Sequence, residues 1–251
     1  MKKSLLYLDG CFVEASQGVL ETFTPGQFNA KGVFETIRVD AQGAHFIDEH
    51  FARMALGLKV LGIKNPLAKK KWIAITQHLI KGNKIKLRLR WMVWQEGKVV
   101  HHALLALPYT PPTQTQQDKG LKVCLIKTDR VPTARLASVK SLDYSLFANA
   151  ANEAKAKGFD DALLLNKRGN IFESTRANLF VLIKDDLLTP PLSSGCLNGV
   201  MRGQLINVGS GLNMPVKESN ITPVMLKKAK AAFLTNSLMG LVPINLKTSK
   251  I

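Results

Sequence analysis

Ten residues near the middle of the chain, Pro108-Tyr109-Thr110-Pro111-Pro112-Thr113-Gln114-Thr115-Gln116-Gln117, hold three prolines and no charged side chain. Proline lacks the amide donor that helices and sheets use, and an uncharged polar stretch has little to bury. A chain of 251 residues could fold as one large domain or two small ones, and this break argues for two. The expected division is a small N-terminal α/β domain over residues 1–107, a linker over 108–120 and a larger domain over 121–251.

The elements read as grouped strands with inserted helices, an α+β pattern without the regular alternation of a doubly wound sheet. Leu5 to Leu8 reads as a strand ending in the hairpin pair Asp9-Gly10. Phe34–Val39 and His45–Ile47 flank a second turn, Asp40 to Gly43. A helix capped by Asp48 carries Phe51, Met54, Ala55, Leu58 and Leu61 at helical spacing. Pro66 marks the approach to another, over Trp72–Ile80. Lys84–Trp94 alternates basic or polar with apolar residues, which predicts a strand with one wet face, and Val99–Leu107 is its partner. Beyond the break, strands are expected at Leu121–Ile126, Ala162–Leu165, Asn178–Leu182 and Ala231–Leu234. Helices are expected over Leu142–Lys157 and from Asn198 or Gly199 to Val208. Asn166 to Asn170 is a turn in which Gly169 takes a positive φ.

Composition removes several functions. The net charge is +17, from 35 Lys and Arg against 18 Asp and Glu. Such a surplus attracts anions, whether nucleic acid, acidic lipid or a small carboxylate or phosphate. The basic residues are spread along the chain, and neither Lys69-Lys70-Lys71 nor Lys227-Lys228 with Lys230 has the aromatic and glycine interleaving of an RNA-binding sheet. A basic nucleic-acid-binding module is therefore a remote reading. No apolar run approaches the ~20 residues a membrane helix needs. Asp9 interrupts the short apolar start before Cys11, against a lipoprotein signal. Three widely spaced cysteines lack metal-finger spacing and suit a reducing, cytoplasmic setting. The histidines lack zinc-protease spacing. His101 and His102 read as surface residues on opposite faces of a strand, and no metal is expected.

Three segments can carry chemistry. Lys140, in Ala137-Ser138-Val139-Lys140-Ser141-Leu142-Asp143-Tyr144, is the only lysine between Lys127 and Lys155 and has apolar neighbours. It is either an ordinary loop lysine or a buried amine, whose pKa falls on desolvation so that it can form an imine with an aldehyde. Glu173, in Asn170-Ile171-Phe172-Glu173-Ser174-Thr175-Arg176-Ala177-Asn178-Leu179-Phe180, is either a cap or surface acid, or a carboxylate that keeps a pyridine nitrogen protonated. A third set suits an anion: the helix start Asn198-Gly199-Val200-Met201-Arg202, the post-strand Thr235-Asn236-Ser237, and Arg53 on the first helix.

Together these segments resemble the class IV aminotransferase family, the fold type IV pyridoxal-phosphate enzymes. The resemblance runs from Tyr7-Leu8-Asp9-Gly10 to Pro243. It includes Gly32-Val33-Phe34-Glu35-Thr36-Ile37-Arg38, His50-Phe51-Ala52-Arg53-Met54, Lys140 with Tyr144, Glu173 to Phe180, Gly199-Val200-Met201-Arg202 and Phe233 to Gly240. It implies the two-domain architecture of D-amino-acid aminotransferase-like enzymes, with pyridoxal 5′-phosphate held by the C-terminal domain. It also implies a homodimer with active sites between domains and near the partner subunit. By it Lys140 is the Schiff-base lysine, and Glu173 contacts the pyridine nitrogen. Arg53, the backbone of Val200 and Met201, and Ser237 bind the phosphate, while Tyr144 lies near the phenolic oxygen.

Within the family, Thr235-Asn236-Ser237-Leu238-Met239-Gly240, Phe34 to Arg38, and Met201 where transaminases often carry Thr resemble aminodeoxychorismate lyases. These enzymes convert 4-amino-4-deoxychorismate, a small dianion, to 4-aminobenzoate and pyruvate in folate synthesis. The alternative is a branched-chain or D-amino-acid aminotransferase on the same scaffold. Trp94 to His101 lacks the Arg-Gly-x-Gly-Gly-Arg-Gly-Tyr run of many lyases. Arg88 and Arg90 on the neighbouring strand, with Phe34 and Thr36, are then the substrate-side candidates, although the arginines could equally be solvated strand residues.

Overall fold

A computed structural model of the chain describes residues 4–16, 19, 22–23, 30–81, 87–128, 136, 139–212 and 214–251. It has two compact units, Met1–Thr110 with Val139–Ser145, and Pro111–Ser138 with Leu146–Ile251. The segment bearing Lys140 thus folds with the N-terminal unit, whereas a purely linear division assigns it to the C-terminal one.

The first unit is built on strands β1 (Ser4–Leu8), β2 (Cys11–Ala15), β3 (Lys31–Asp40), β4 (Gly43–Ala44), β5 (Leu87–Glu96) and β6 (Val99–Pro108). They form one sheet in the order β2-β1-β6-β5-β3-β4, every pair antiparallel. Helices α1 (Ile47–Leu61) and α2 (Lys69–Ile80) cover one face. Alternation along the strands selects what they cover: Val33, Ile37 and Val39 of β3 and Leu87, Leu89, Trp91 and Val93 of β5 meet Met54, Leu58, Trp72, Ile75 and Leu79. Trp72 and Trp91 are fully buried, with ring centroids 5.2 Å apart. Each indole N–H keeps a partner, Asn65 Oδ1 and Thr76 Oγ1 respectively, as a buried donor must.

Four expectations for this unit are revised. The second arm of the Asp40 turn is only Gly43–Ala44, because Phe46 adopts φ 53 and turns the chain out of the ladder. α1 then starts at Ile47, so Asp48 lies in the first turn, where it favours the helix dipole without capping. β5 has no wet face: Phe34, Met92, Trp94, Leu105 and Leu107 form a second apolar cluster on the side that carries Arg88 and Arg90. Lys84 to Lys86, expected to begin this strand, lie outside the described residues. His102 is buried beside Tyr7 and Trp72, and burial depresses its pKa; His101 remains partly exposed, bonded to Asp9 and stacked on Trp94.

In the second unit the expected linker contains a short helix, α3 (Gln114–Lys119). Thr113 and Gln116 form a reciprocal capping box there. Strands β7 (Val123–Lys127), β8 (Asp161–Leu165) and β9 (Ile171–Ser174) form a three-stranded sheet. β7 and β8 are parallel, so a crossover is required, and helix α4 (Ser145–Ala156) lies between them in sequence. α4 starts three residues later than its apolar pattern predicts, because Leu142 N donates to Gly32 O in an extended segment. A second sheet contains β10 (Asn178–Ile183), β11 (Asp186–Thr189), β12 (Val216–Glu218), β13 (Ala231–Asn236) and β14 (Gly240–Pro243), in the order β12-β11-β10-β13-β14. Helices α5 (Val200–Gly211) and α6 (Pro223–Lys227) complete the unit. Its main core gathers Val123, Leu163, Leu179, Val181, Ile221, Leu226 and Leu234. Among the described residues no helix is long and apolar enough to cross a membrane.

Candidate active site

In the first unit the segment around Lys140 extends the sheet. Phe34 N donates to Lys140 O at 2.9 Å, Leu142 N to Gly32 O at 3.0 Å, and Val33 bridges Ser141. The Lys140 backbone is thereby locked to the start of β3. This close approach requires glycine at position 32, since a Cβ there would overlap Val93 O and lie 2.7 Å from Leu142 Cδ1. Lys140 Nζ sits 4.4 Å from the Phe34 ring centroid and 5.9 Å from that of Tyr144. The two rings meet edge to face at 5.6 Å, and such contacts hold an ammonium at ~0.5–1 kcal/mol each. The structure therefore brings Lys140, Phe34 and Tyr144 together.

Pairing in register puts Thr36 opposite Arg90 and Arg38 opposite Arg88, on the same side of the sheet as Phe34. Arg38 is committed to Asp40 at 2.8 Å. Arg88 and Arg90 are not: among the described residues no carboxylate pairs with either. The Nε atoms of both are buried without a hydrogen-bond partner among the described residues, and Arg90 Nη1 donates to Phe23 O at 3.0 Å. Burial, and then the positive charge of Arg88, lower the Arg90 pKa to about 10, partly offset by Tyr144. Two guanidinium groups with orphaned donors on a buried strand face are ready for an anion.

Arg53 projects from α1 towards the other face of β3. Its Nε and Nη2 donate to Oε1 and Oε2 of Glu35 at 2.8 and 2.6 Å, while His50 Nδ1 lies 2.6 Å from Oε2. Glu35 and His50 are fully buried. Burial alone would raise the Glu35 pKa, but the charge and hydrogen bonds of Arg53, with His50, hold it at about 2. Sequence reasoning placed Arg53 in the site but overlooked Glu35 and His50. The available signal was an acid on β3 in phase with the aliphatic positions Val33, Ile37 and Val39.

In the second unit Glu173 is 5% exposed at the end of β9, and its Oε2 accepts from Leu197 N at 3.1 Å. Leu197 O accepts from Asn178 Nδ2 at 2.8 Å, so side chains from positions 173 and 178 grip one residue just ahead of α5. Gly199 follows, where a Cβ would overlap Asn178 Oδ1. α5 has no side-chain cap and no acid in its first turn. The Val200 and Met201 N–H groups, which have no intrahelical partner, thus keep their full partial positive charge. Ser237 is half-buried in the β13–β14 turn, which Asn236 ties to the Glu173 loop by donating to Arg176 O at 3.1 Å. Cys196, also nearby, is no nucleophile: burial, and then the Glu173 charge, push its thiol to about 12. Among the described residues no three His, Cys, Asp or Glu side chains converge as a metal site.

The first unit offers a primary amine among aromatic rings, a group that an aldehyde can engage, and the second, by itself, a buried carboxylate close to an uncapped helix start, groups that suit a phosphorylated pyridine. Residues 32–246 match amino-transferase class IV, and the chain belongs to that family. Its fold is the mixed α+β fold of these enzymes, and its cofactor is pyridoxal 5′-phosphate. A putative branched-chain-amino-acid aminotransferase of Methanocaldococcus jannaschii is 27% identical over 249 residues, spanning 95% of this chain and 86% of that protein. The aminodeoxychorismate lyase of Bacillus subtilis is 26% identical over 251 residues, spanning 95% and 85%. The crystal structure of a branched-chain aminotransferase from Thermoproteus uzoniensis with norvaline superposes with a TM-score of 0.84 at 26% identity, covering 97% of this chain and 86% of that one.

Proposed function

We propose that the protein is a pyridoxal-phosphate-dependent 4-amino-4-deoxychorismate lyase, acting as a cytoplasmic homodimer. The observation that carries the reading is the Arg88–Arg90 pair, a half-buried and a buried cation that no carboxylate pairs among the described residues, which suits a substrate with two carboxylates better than a branched aliphatic one. The Thr235 to Gly240 turn and Met201 support the same branch of the family.

In this reading Lys140 Nζ would hold the cofactor at its aldehyde carbon. Glu173 holds the proton on the ring nitrogen, and Arg53, the Val200 and Met201 N–H groups and Ser237 hold the phosphate. The bound cofactor supplies an electron sink. Arg88 and Arg90 bind the substrate carboxylates, with Phe34 and Thr36 lining the same strand face. As a free amine, Lys140 Nζ would remove the proton from carbon C4 of the substrate ring as general base. Loss of the enolpyruvyl group then leaves an aromatic ring, so 4-aminobenzoate and pyruvate together account for every atom of the substrate and no second keto acid is needed.

A transaminase is the second reading, favoured by the similarity to branched-chain aminotransferases of Methanocaldococcus jannaschii and Thermoproteus uzoniensis. Incubation with 4-amino-4-deoxychorismate separates the two. The lyase yields fluorescent 4-aminobenzoate and pyruvate in equal amounts without an added keto acid, and Lys140→Ala abolishes both. Activity only between an amino acid and a keto acid would reject the lyase.

A further inference from the structure

Asp161, the first residue of β8, is 1% exposed, yet it contacts no substrate or cofactor group assigned above. Its carboxylate is surrounded by donors. Oδ1 accepts from Ala162 N at 2.7 Å, Thr175 Oγ1 at 2.5 Å and Thr175 N at 3.2 Å. Oδ2 accepts from Ser174 Oγ at 3.0 Å and Arg176 Nε at 3.3 Å. Four of these five donors belong to residues 174–176, the end of β9 and the loop that leads from it to β10. Ser174 closes the loop from inside, with its Oγ accepting from Ala177 N at 2.9 Å.

The loop separates Glu173 from Asn178, and these are the two side chains that grip Leu197, one at its N–H and one at its carbonyl. Both bonds can form only if the loop holds positions 173 and 178 at the right separation. The same loop carries Arg176 O, to which Asn236 ties the Ser237 turn. A carboxylate accepting several converging donors has one orientation, and it imposes that orientation on the segment around it.

We infer that Asp161 is a positioning residue: by filling the 174–177 loop it fixes the carboxylate of Glu173 relative to Leu197 and the start of α5. The inference rests on the reading that Glu173 holds the protonated ring nitrogen. Asp161→Asn keeps the size and one acceptor but turns the other side of the group into a donor facing Ser174 and Arg176. Glu173 then loses its alignment while the rest of the cofactor's contacts persist.

The test compares the affinity of the apoenzyme for pyridoxal phosphate with that for its analogue bearing C–H in place of the ring nitrogen. The wild type prefers the natural cofactor, and Glu173→Gln abolishes the preference. Asp161→Asn reduces it at least tenfold with the analogue's affinity held within twofold, and adds nothing in the Glu173→Gln background. Thr175→Val, which removes one donor from the loop, reduces the preference in the same direction and covers the case in which Asp161→Asn does not fold. A wild type without preference overturns the role of Glu173, and with it this inference. A preference lost in Glu173→Gln but intact in Asp161→Asn, or in Thr175→Val, overturns the inference alone. Equal loss of affinity for both compounds in Asp161→Asn makes Asp161 merely structural and also overturns it.

Discussion

Glu35 stands where alternation along β3 calls for an aliphatic side chain, and its two partners on α1 make an acid possible there. Its pKa is lowered from 4.5 to about 2, so the unfolded chain takes up a proton at a higher pH than the folded one. Stability from this group is therefore fully present above pH 4.5 and is lost as pH falls towards 2. A shift of this size corresponds to about 3 kcal/mol. Glu35→Gln is expected to lower the unfolding free energy by about 3–5 kcal/mol near neutrality, since it leaves Arg53 without its buried counter-charge. Urea unfolding at a series of pH values should show the gap between wild type and variant closing below pH 4.5. A gap independent of pH would mean that Glu35 contributes by packing alone. This residue also marks a limit of sequence reading. Lys140 and Glu173 were singled out by their apolar neighbours together with the family resemblance, and the structure finds the Lys140 amine beside Phe34 and Tyr144 and Glu173 buried. Glu35, Asp161 and Asn178 act through partners distant in sequence, at His50 and Arg53, at Ser174 to Arg176 and at Leu197, and nothing local announces those pairings.

At the scale of elements, β3 is shared by the core and the candidate site. One edge pairs with β5 from Lys31 to Val39, and the other receives the Lys140 segment at Gly32 to Phe34. Gly32 lies where the two meet. Gly32→Ala would press a methyl group onto the Val93 carbonyl and Trp94 Cα, which are backbone and cannot swing away, as well as onto Leu142. Overpacking of this kind costs about 1–3 kcal/mol. The expected outcome is a lowered Tm together with weakened retention of pyridoxal phosphate, because relief comes most easily from the single-edge Lys140 segment. Dialysis followed by absorbance of the retained cofactor measures the second effect; a variant that melts earlier yet keeps its cofactor would uncouple Lys140 from β3. The strands themselves were legible from alternation and turn pairs such as Asp9-Gly10. The wet face expected of β5 was not found, because a period of two shows which residues share a face but not what covers it. Here Phe34, Trp94, Leu105 and Leu107 cover it, so that Arg90 becomes buried and Arg88 half-buried. The start of α4 was misread for a related reason: Leu142 has helical phase, but β3 claims its backbone.

Across the whole molecule, a net charge of +17 acts over longer distances than any single contact. Spread along the chain without interleaved aromatics, it fits attraction of small anions better than a nucleic-acid track. Much of it serves no local purpose. Lys69, Lys70 and Lys71 occupy the first turn of α2, where the helix dipole disfavours cations, and only Lys69 has an acidic partner among the described residues, Asp48. If these lysines serve the field, two effects of removing them should separate. Lys70→Glu with Lys71→Glu is expected to stabilise the fold, at about 0.3–1 kcal/mol for each favourable charge at a helix start. It should also lower kcat/KM for a dianionic substrate at low salt, with kcat unchanged. In the wild type, kcat/KM should fall several-fold as salt rises from about 0.02 to 0.3 M, since the screening length drops to within about 10 Å. The variant should show a shallower slope and converge on the wild type at high salt. Arg88→Ala should behave differently, raising KM at every salt concentration, because on the proposed reading a half-buried cation in direct contact with a substrate carboxylate is screened less than surface lysines. A salt-independent kcat/KM, or a fall in kcat that matches it, would remove electrostatic approach from the account and leave the surplus charge without a part in substrate capture.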